Sequence, residues 1–377
     1  MNSTEIPLPS RTTLLWTRVG QGVLTFVLFF LFLISLELIT SACRELGSDY
    51  TSSIFKVTGN PVVSLFIGLL ATAIIQSSST ITASLVAMVA ANIISLEAAI
   101  PVVLGANIGT SITCMMVSFG HLGTPKAFRR GFMVGSSHVI FNVLTAILFF
   151  ALEQYWSVLS MSSRYIASLI SHWGASGQGW FFLNDLFVTP FALLLKSVVS
   201  NQPLAILGFS LVLLFMCIYT LTALFRFLML GGNSGKKLSS ALNNPFVSLL
   251  SGAGITAAIH SSSVTTSLSV MLAATEKISP KKLFPFILGA NVGTTVTALM
   301  AAIGRSEAGL AIAICHLLFN VFGVVLFYPF PILRNVIVQI ARWSGVMAQK
   351  NLAFAFGYLF ILFFALPFLV IFIFEKI

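Results

Sequence analysis

The sequence predicts an all-α polytopic membrane protein built from two inverted-topology repeats, and three observations support this fold class. Of the 377 residues, 57% are hydrophobic and only 8% are charged, whereas soluble domains carry roughly 25% charged residues. Several apolar runs reach the roughly 20 residues that a helix needs to cross a bilayer. Several polar motifs also occur twice along the chain at one constant spacing.

The long apolar runs predict helices that cross the membrane, because a segment in lipid must satisfy its own backbone hydrogen bonds. The first run is too long for the apolar region of a signal peptide, so we expect it to be retained. The runs are Thr13–Ile39, Phe132–Leu152, Leu204–Leu230, Leu310–Tyr328 and Leu352–Phe374.

The net charge of +10 indicates membrane orientation rather than nucleic-acid binding. Lys and Arg lie between the apolar runs and at their ends, and most fall on the side of the N-terminus, as the positive-inside rule describes. We therefore expect a multi-pass protein of the plasma membrane with a cytoplasmic N-terminus. The four cysteines are scattered and predict no disulfide framework.

Internal similarity indicates a duplication. The paired segments are Asn60-Pro61 with Asn244-Pro245, Ser77-Ser78-Ser79 with Ser261-Ser262-Ser263, Gly105-Ala106-Asn107-Ile108-Gly109-Thr110 with Gly289-Ala290-Asn291-Val292-Gly293-Thr294, and His138-Val139-Ile140-Phe141-Asn142 with His316-Leu317-Leu318-Phe319-Asn320.

The spacing of these motifs predicts how each repeat crosses the membrane. Each triple serine lies between two apolar segments that are short for a full crossing, which predicts a re-entrant helical hairpin with the serines at its tip. Pro101 and Pro285, with the glycines around Asn107 and Asn291, predict a broken transmembrane helix that crosses once. Three crossings then separate equivalent points of the two repeats, and an odd number inverts the second copy.

Four segments follow from this count. They are an N-terminal helix with the first inverted repeat (1–152), an extracellular inter-repeat segment (153–203), the second inverted repeat (204–330), and a cytoplasmic interfacial helix with the last transmembrane helix (331–377).

Inverted repeats with interrupted helices are typical of secondary transporters. Helix N-termini favour an anion, whereas helix C-termini, free carbonyls and hydroxyls favour a hard cation such as sodium. His138 and His316 each precede an Asn by four residues, which predicts hydrogen bonds between helices. An enzyme is not expected, because no acid is placed to orient a histidine.

At these motifs the chain closely resembles the type II sodium–phosphate cotransporter family. The resemblance rests on Gln76-Ser77-Ser78-Ser79-Thr80 and the GAN-x-GT segments, with Phe128-Arg129-Arg130, Cys315-His316 and Tyr328-Pro329, and it covers most of the chain. It implies symport of sodium with inorganic phosphate, with sodium co-transported and with no cofactor. The partners are then phosphate, sodium and the lipid bilayer; a nucleic acid is excluded and a homodimer is left open.

The resemblance also implies site residues. Phosphate binding is assigned to Gln76, Ser77, Ser78, Ser79, Ser261, Ser262, Ser263, Asn107, Asn291 and Arg129. Sodium, the only metal expected, is assigned to Gln76, Thr110, Ser111, Thr113, His260, Ser261, Asn291, Thr294 and Thr297.

Two departures from the family pattern carry predictions. The second tip begins with His260 rather than glutamine, and because imidazole titrates near neutral pH, we expect uptake to depend more steeply on pH. Val139 stands where electrogenic members carry an acid, which implies electroneutral transport of divalent hydrogen phosphate. The residues alone leave two alternatives open: a sodium- or proton-coupled symporter of another small oxyanion or a dicarboxylate, and an anion channel, which concentrative uptake would distinguish from a symporter.

Overall fold

The structure, a computed structural model, describes residues 11–45, 59–172, 184–199, 202–230, 242–274, 276 and 278–375. Within these ranges all regular structure is helical. Among the described residues, six helices have the length and apolar composition to cross a membrane, and a bent pair raises the number to seven. The all-α polytopic class is therefore confirmed. The first ten residues, and 173–183 of the predicted inter-repeat segment, lie outside the described residues.

The described part of the first half begins with six helices. They are α1 (Arg11–Glu45), α2 (Pro61–Ile75), α3 (Ser78–Ala90), α4 (Leu96–Phe119), α5 (Pro125–Trp156) and α6 (Val158–His172). A π-helical turn, Asn184–Val188, then leads into α7 (Thr189–Val199).

The second half repeats this order. Its helices are α8 (Pro203–Leu230), α9 (Pro245–Ile259), α10 (Ser262–Ala274), α11 (Pro280–Ala301), α12 (Glu307–Phe327) and α13 (Pro331–Lys350). The chain ends with α14 (Leu352–Phe360), a π-helical turn (Ile361–Ala365) and α15 (Leu366–Glu375).

The duplicated Asn-Pro pairs begin α2 and α9. Asn60 Oδ1 accepts from the N–H of Val62 at 2.9 Å, and Asn244 Oδ1 accepts from the N–H of Phe246 at 3.0 Å. The proline that follows each Asn occupies the first helical position, where a missing N–H costs nothing. The motif is thus an N-cap signal used twice.

The helices beside each triple serine are short. Helix α2 has 15 residues and α3 has 13, so they are about 22 and 20 Å long, less than the roughly 30 Å of hydrocarbon in a bilayer. The α9–α10 pair has the same lengths. We call α2–α3 and α9–α10 the first and second helix pairs, and the residues where their helices join the tips.

The expected break in the GAN-x-GT helices is wrong, because α4 and α11 run continuously through those residues. Pro101 and Pro285 lie inside them, near the N-terminal end. The glycines allow close packing instead. A Cβ atom on Gly105 would collide with the carbonyl oxygen of Leu65 in α2, and one on Gly289 would collide with that of Leu249 in α9. Small residues at such contacts let two backbones touch.

The two repeats hold each other together. Helix α3 packs against α11 and α12 of the second repeat, and α10 packs against α4 and α5 of the first. Helix α1 packs along α8, α6 along α12, and α13 along α5. The second helix of each pair is therefore enclosed mainly by the opposite repeat.

Contacts at the helix ends locate the bases of the two helix pairs, which are the ends opposite the tips. Near the start of α5, the Arg130 guanidinium donates to the carbonyls of Ala273 at 2.7 Å and Ile278 at 2.6 Å, at the base of the second pair. Ser306 Oγ donates to the carbonyl of Ala90 at 3.5 Å, at the base of the first pair. Helix α4 starts beside the first base and ends just before α5, so the two bases lie at its opposite ends.

Candidate functional site

The two tips come together at one side chain of α4. Thr113 Oγ1 donates to Gln76 Oε1 at 2.9 Å and lies 3.4 Å from Ser263 Oγ. These three oxygens belong to the first tip, to α4 and to the start of α10. All three are neutral, and oxygen atoms of this kind are the ligands that hard cations accept.

Each tip joins the end of one helix to the start of the next. Gln76 and His260 have φ angles of 60° and 57°, in the left-handed region that costs a non-glycine residue about 1–2 kcal/mol. Gln76 Nε2 donates to the carbonyl of Ala73, which directs Oε1 toward Thr113. Such strain is found where function fixes a side chain.

The serines that follow begin the second helix of each pair. Ser77 Oγ accepts from the N–H of Thr80 at 3.3 Å, and Ser261 Oγ accepts from the N–H of Val264 at 3.4 Å. Ser78, Ser79 and Ser262 are buried, whereas Ser263 is partly exposed. The N-terminal ends of α3 and α10, with their backbone N–H groups and positive dipole ends, therefore lie at the tips and suit an anion.

A chain of hydrogen bonds joins helices of the first repeat to helices of the second. His138 Nε2 pairs with Asn291 Oδ1 at 2.8 Å, and Asn291 Nδ2 donates to Asn142 Oδ1 at 2.6 Å. Asn142 Nδ2 donates to the carbonyl of Asn107 at 2.8 Å, and Asn320 Nδ2 donates to Asn107 Oδ1 at 3.1 Å. All five residues are buried, and they lie on α4, α5, α11 and α12. We call this chain the asparagine network.

The asparagine network is not symmetric. His138 bonds across the repeats as predicted, but neither ring nitrogen of its counterpart His316 has a hydrogen-bond partner among the described residues. Asn107, the counterpart of Asn291, accepts from Asn320 instead of from a histidine. The described structure therefore differs between two halves that the sequence makes equivalent.

Three of the hydroxyls assigned to sodium are bonded within their own helices. Thr110, Ser111 and Thr294 donate to the carbonyls of Ala106 at 2.9 Å, Ile108 at 2.6 Å and Ala290 at 2.9 Å. Donation uses the proton and leaves oxygen lone pairs for a cation. Thr297, the counterpart of Thr113, is buried, and its hydroxyl has no partner within the described part of the chain.

Arg129 is the predicted site residue that lies apart from the tips. It follows the start of α5, and its carbonyl lies against Gly345 of α13. This is the base of the second helix pair, where Lys126 and Glu276 form an ion pair at 2.8 Å. The hydrogen bond from Lys126, together with the charges of Arg130 and Arg129, holds the pKa of Glu276 below its ordinary value. About 20 Å of α10 separates this base from the tip.

Asn142 and Asn320 were not assigned to the site from the sequence, although both contact residues that were. Their signal was the repeated His-x-x-x-Asn spacing, which indicated hydrogen bonding but not which residues it would reach. Their partners lie on helices far apart in sequence, so only the packing of the two repeats identifies them.

Comparisons with known proteins found a family model and named relatives. The family model described as Na+/Pi-cotransporter matches residues 31–170 and 213–370, well over half of the chain. Sodium-dependent phosphate transport protein 2A of Mus musculus is 29% identical over 94% of this chain and 68% of its own length. Sodium-dependent phosphate transport protein 2B of Homo sapiens is 26% identical over 93% of this chain and 64% of its own length. No solved structure matches the chain.

Proposed function

The chain belongs to the Na+/Pi-cotransporter family, and on that premise we propose that it carries inorganic phosphate across a membrane by symport with sodium. The matched relatives are named as sodium-dependent phosphate transport proteins. The membrane is the plasma membrane, with the N-terminus in the cytoplasm. The protein is a secondary transporter rather than an enzyme, and a homodimer is compatible with this function.

Inverted repeats with re-entrant hairpins are the architecture proposed for this transport. Three observations support it: the helices of each pair are too short to cross, the bases of the two pairs lie at opposite ends of α4, and each second helix packs into the other repeat. With this arrangement, each hairpin tip reaches the middle of the membrane from a different side.

The observation that carries the proposed site is the meeting of both tips at Thr113. Phosphate is held between the N-terminal ends of α3 and α10, where Gln76 and the two serine triplets supply donors. Contact between phosphate and Asn107 or Asn291 requires their asparagine-network bonds to open. Arg129, at the base of the second pair, attracts phosphate at the mouth of the pathway rather than at the tips.

Sodium is held by neutral oxygens in this proposal. Gln76, Thr110, Ser111 and Thr113 form the group near the first tip, and His260, Ser261, Asn291, Thr294 and Thr297 form the group near the second. Because the second group has an imidazole where the first has an amide oxygen, the two groups bind a cation with different strength. The structure of the first group, with Thr113 donating to Gln76 Oε1 at 2.9 Å, supports sodium binding there.

Transport is proposed to be electroneutral. Val139, beside His138, is buried and apolar, so this position adds no fixed negative charge to attract a further cation. Divalent phosphate then moves with as many sodium ions as balance its charge. A substrate-evoked current in voltage-clamped membranes would refute this part of the proposal.

Uptake of radiolabelled phosphate into proteoliposomes tests the function. We expect accumulation with an inward sodium gradient and none with a potassium gradient, and we expect unlabelled phosphate to compete more strongly than sulfate or a dicarboxylate. Stronger competition by either of those would move the substrate to another oxyanion. Accumulation driven by a proton gradient without sodium would mean that His260 marks a different coupling ion.

His260→Gln separates these outcomes further. Restoring the amide is expected to flatten the pH profile of uptake, because the titrating imidazole is gone. An unchanged profile would show that His260 does not set the pH dependence.

A further inference from the structure

Helix α13 carries an apolar stripe that the described part of the protein leaves exposed in large part. Ile332, Val336, Ile340 and Trp343 are 79, 46, 42 and 57% exposed. Their spacing places them on one side of a helix, in a continuous row. The opposite side of α13 is buried against α5 through Ile337, Ala341, Ser344, Gly345 and Ala348.

A third side of α13 is polar. Asn335, Gln339 and Arg342 follow one another at helical spacing between the buried side and the apolar stripe, and all three are exposed. Lys350, also exposed, ends the helix. A helix with one side on protein, one apolar side and one polar side fits the boundary between lipid tails and water.

Neighbouring contacts place the cationic end of α13 at that boundary. Gly345 lies against the backbone of Arg129 and against Met133, in the first turns of α5. The Trp343 and Phe354 rings meet edge-on with their centroids 5.7 Å apart. Phe354 lies at the start of α14. Trp at the end of membrane helices and Arg beside it are the residues that anchor a chain at headgroup level.

The cations of α13 differ in their partners from the cation of α6, the helix at the corresponding place in the first repeat. Arg164 of α6 forms an ion pair with Glu97. Among the described residues, no carboxylate lies within ion-pair distance of Arg342 or Lys350. These two charges are therefore available to an external anion, and lipid is the neighbour that the apolar stripe also requires.

We propose that α13 binds anionic lipid headgroups through Arg342 and Lys350, while the stripe from Ile332 to Trp343 enters the acyl layer. One cation near an anionic membrane surface favours anionic over zwitterionic lipid by about fivefold. This lipid site is separate from the tips, and its existence does not depend on the transported ion.

Trp343 is a built-in probe for the test. The chain has five tryptophans, and a variant with Trp16, Trp156, Trp173 and Trp180 changed to Phe keeps only Trp343. This variant is reconstituted in phosphatidylcholine vesicles that contain either brominated phosphatidylcholine or brominated phosphatidylglycerol, each at the same mole fraction. We expect quenching by both lipids and more by the brominated phosphatidylglycerol. The double change Arg342→Gln with Lys350→Gln is expected to remove the difference, Arg342→Gln alone to reduce it, and Arg164→Gln to keep it.

Either of two results would overturn the proposal. Absence of quenching by both lipids would show that protein, such as a second copy of the chain, covers the stripe. Equal quenching by both would show that the headgroup charge is not recognised. If the variant with four Trp→Phe changes does not fold, native mass spectrometry of the full chain tests the same proposal. The wild type should retain more phosphatidylglycerol than Arg342→Gln, and equal retention would refute the site.

Discussion

Close packing between α9 and α11 makes a quantitative prediction at Gly252. A Cβ atom there would overlap the carbonyl oxygen of Phe286 and approach the backbone N of Ala290 at 3.1 Å. Carbon and oxygen atoms in ordinary contact are about 3.3 Å apart or more, so Gly252→Ala requires the two helices to separate by roughly 1 Å. A gap of that size forfeits up to about half of the dispersion energy between the facing atoms, and overpacking of this kind costs about 2–3 kcal/mol.

A control variant lies two residues away on the same helix. A Cβ on Gly254 meets no atom within 4 Å, so Gly254→Ala is expected to stabilise the protein by about 0.5–1 kcal/mol, the ordinary gain of replacing a helical glycine. Thermal unfolding in detergent, followed by the loss of the monodisperse peak, measures both variants. If Gly252→Ala melts as high as Gly254→Ala, the proposed backbone contact between α9 and α11 is refuted.

Three further changes test the site and the connections around it. Thr113→Val is expected to raise the sodium concentration for half-maximal uptake, since it removes the oxygen between the two tips. Thr295→Val is the control, because the Thr295 hydroxyl donates only within its own helix. Equal effects of the two changes would contradict the assignment. Asn142→Leu removes two asparagine-network bonds and is expected to cost about 1–4 kcal/mol in unfolding experiments; an unchanged stability would show that these bonds contribute nothing. Glu37→Gln replaces the carboxylate that pairs with the 6% exposed Arg305 side chain at 2.8 Å by a neutral amide and should destabilise by about 1–3 kcal/mol; the double change with Arg305→Gln should recover part of that loss, and an additive loss would count against the pair.

Much of the fold was predictable because the duplicated motifs mark helix ends and joints. The Asn-Pro pairs do begin α2 and α9, and the triple serines follow the junction between two short helices. The long apolar runs lie within helices, although Leu310–Tyr328 extends one residue past the end of α12 and Leu352–Phe374 includes a π-helical turn at Ile361–Ala365. Local signals of this kind depend only on neighbouring residues, which the sequence contains.

The predicted breaks in the helices that contain Pro101, Pro285 and the GAN-x-GT glycines were wrong for a physical reason. Glycine lowers helix propensity by about 1 kcal/mol, but it also permits backbone contact between helices. Only the position of α2 or α9 decides which effect operates. The packing against Leu65 and Leu249 explains why both helices continue.

The predicted site residues are brought together only in part. Gln76, Thr113 and Ser263 meet, whereas Arg129 lies at the base of the second helix pair. The asymmetry between His138 and His316 was not predicted, because both histidines share the same spacing to a following asparagine. It arises from the relative position of the repeats, which a pattern along the chain does not contain.

Coupling between the two substrates is the central claim, and reciprocal flux tests it most directly. Proteoliposomes are prepared with equal sodium on both sides, and an inward phosphate gradient is imposed while labelled sodium is followed. The account predicts that sodium moves inward with phosphate although no sodium gradient drives it. This sodium movement is expected to stop when phosphate is replaced by chloride. Phosphate entry without any movement of sodium would contradict the symport mechanism.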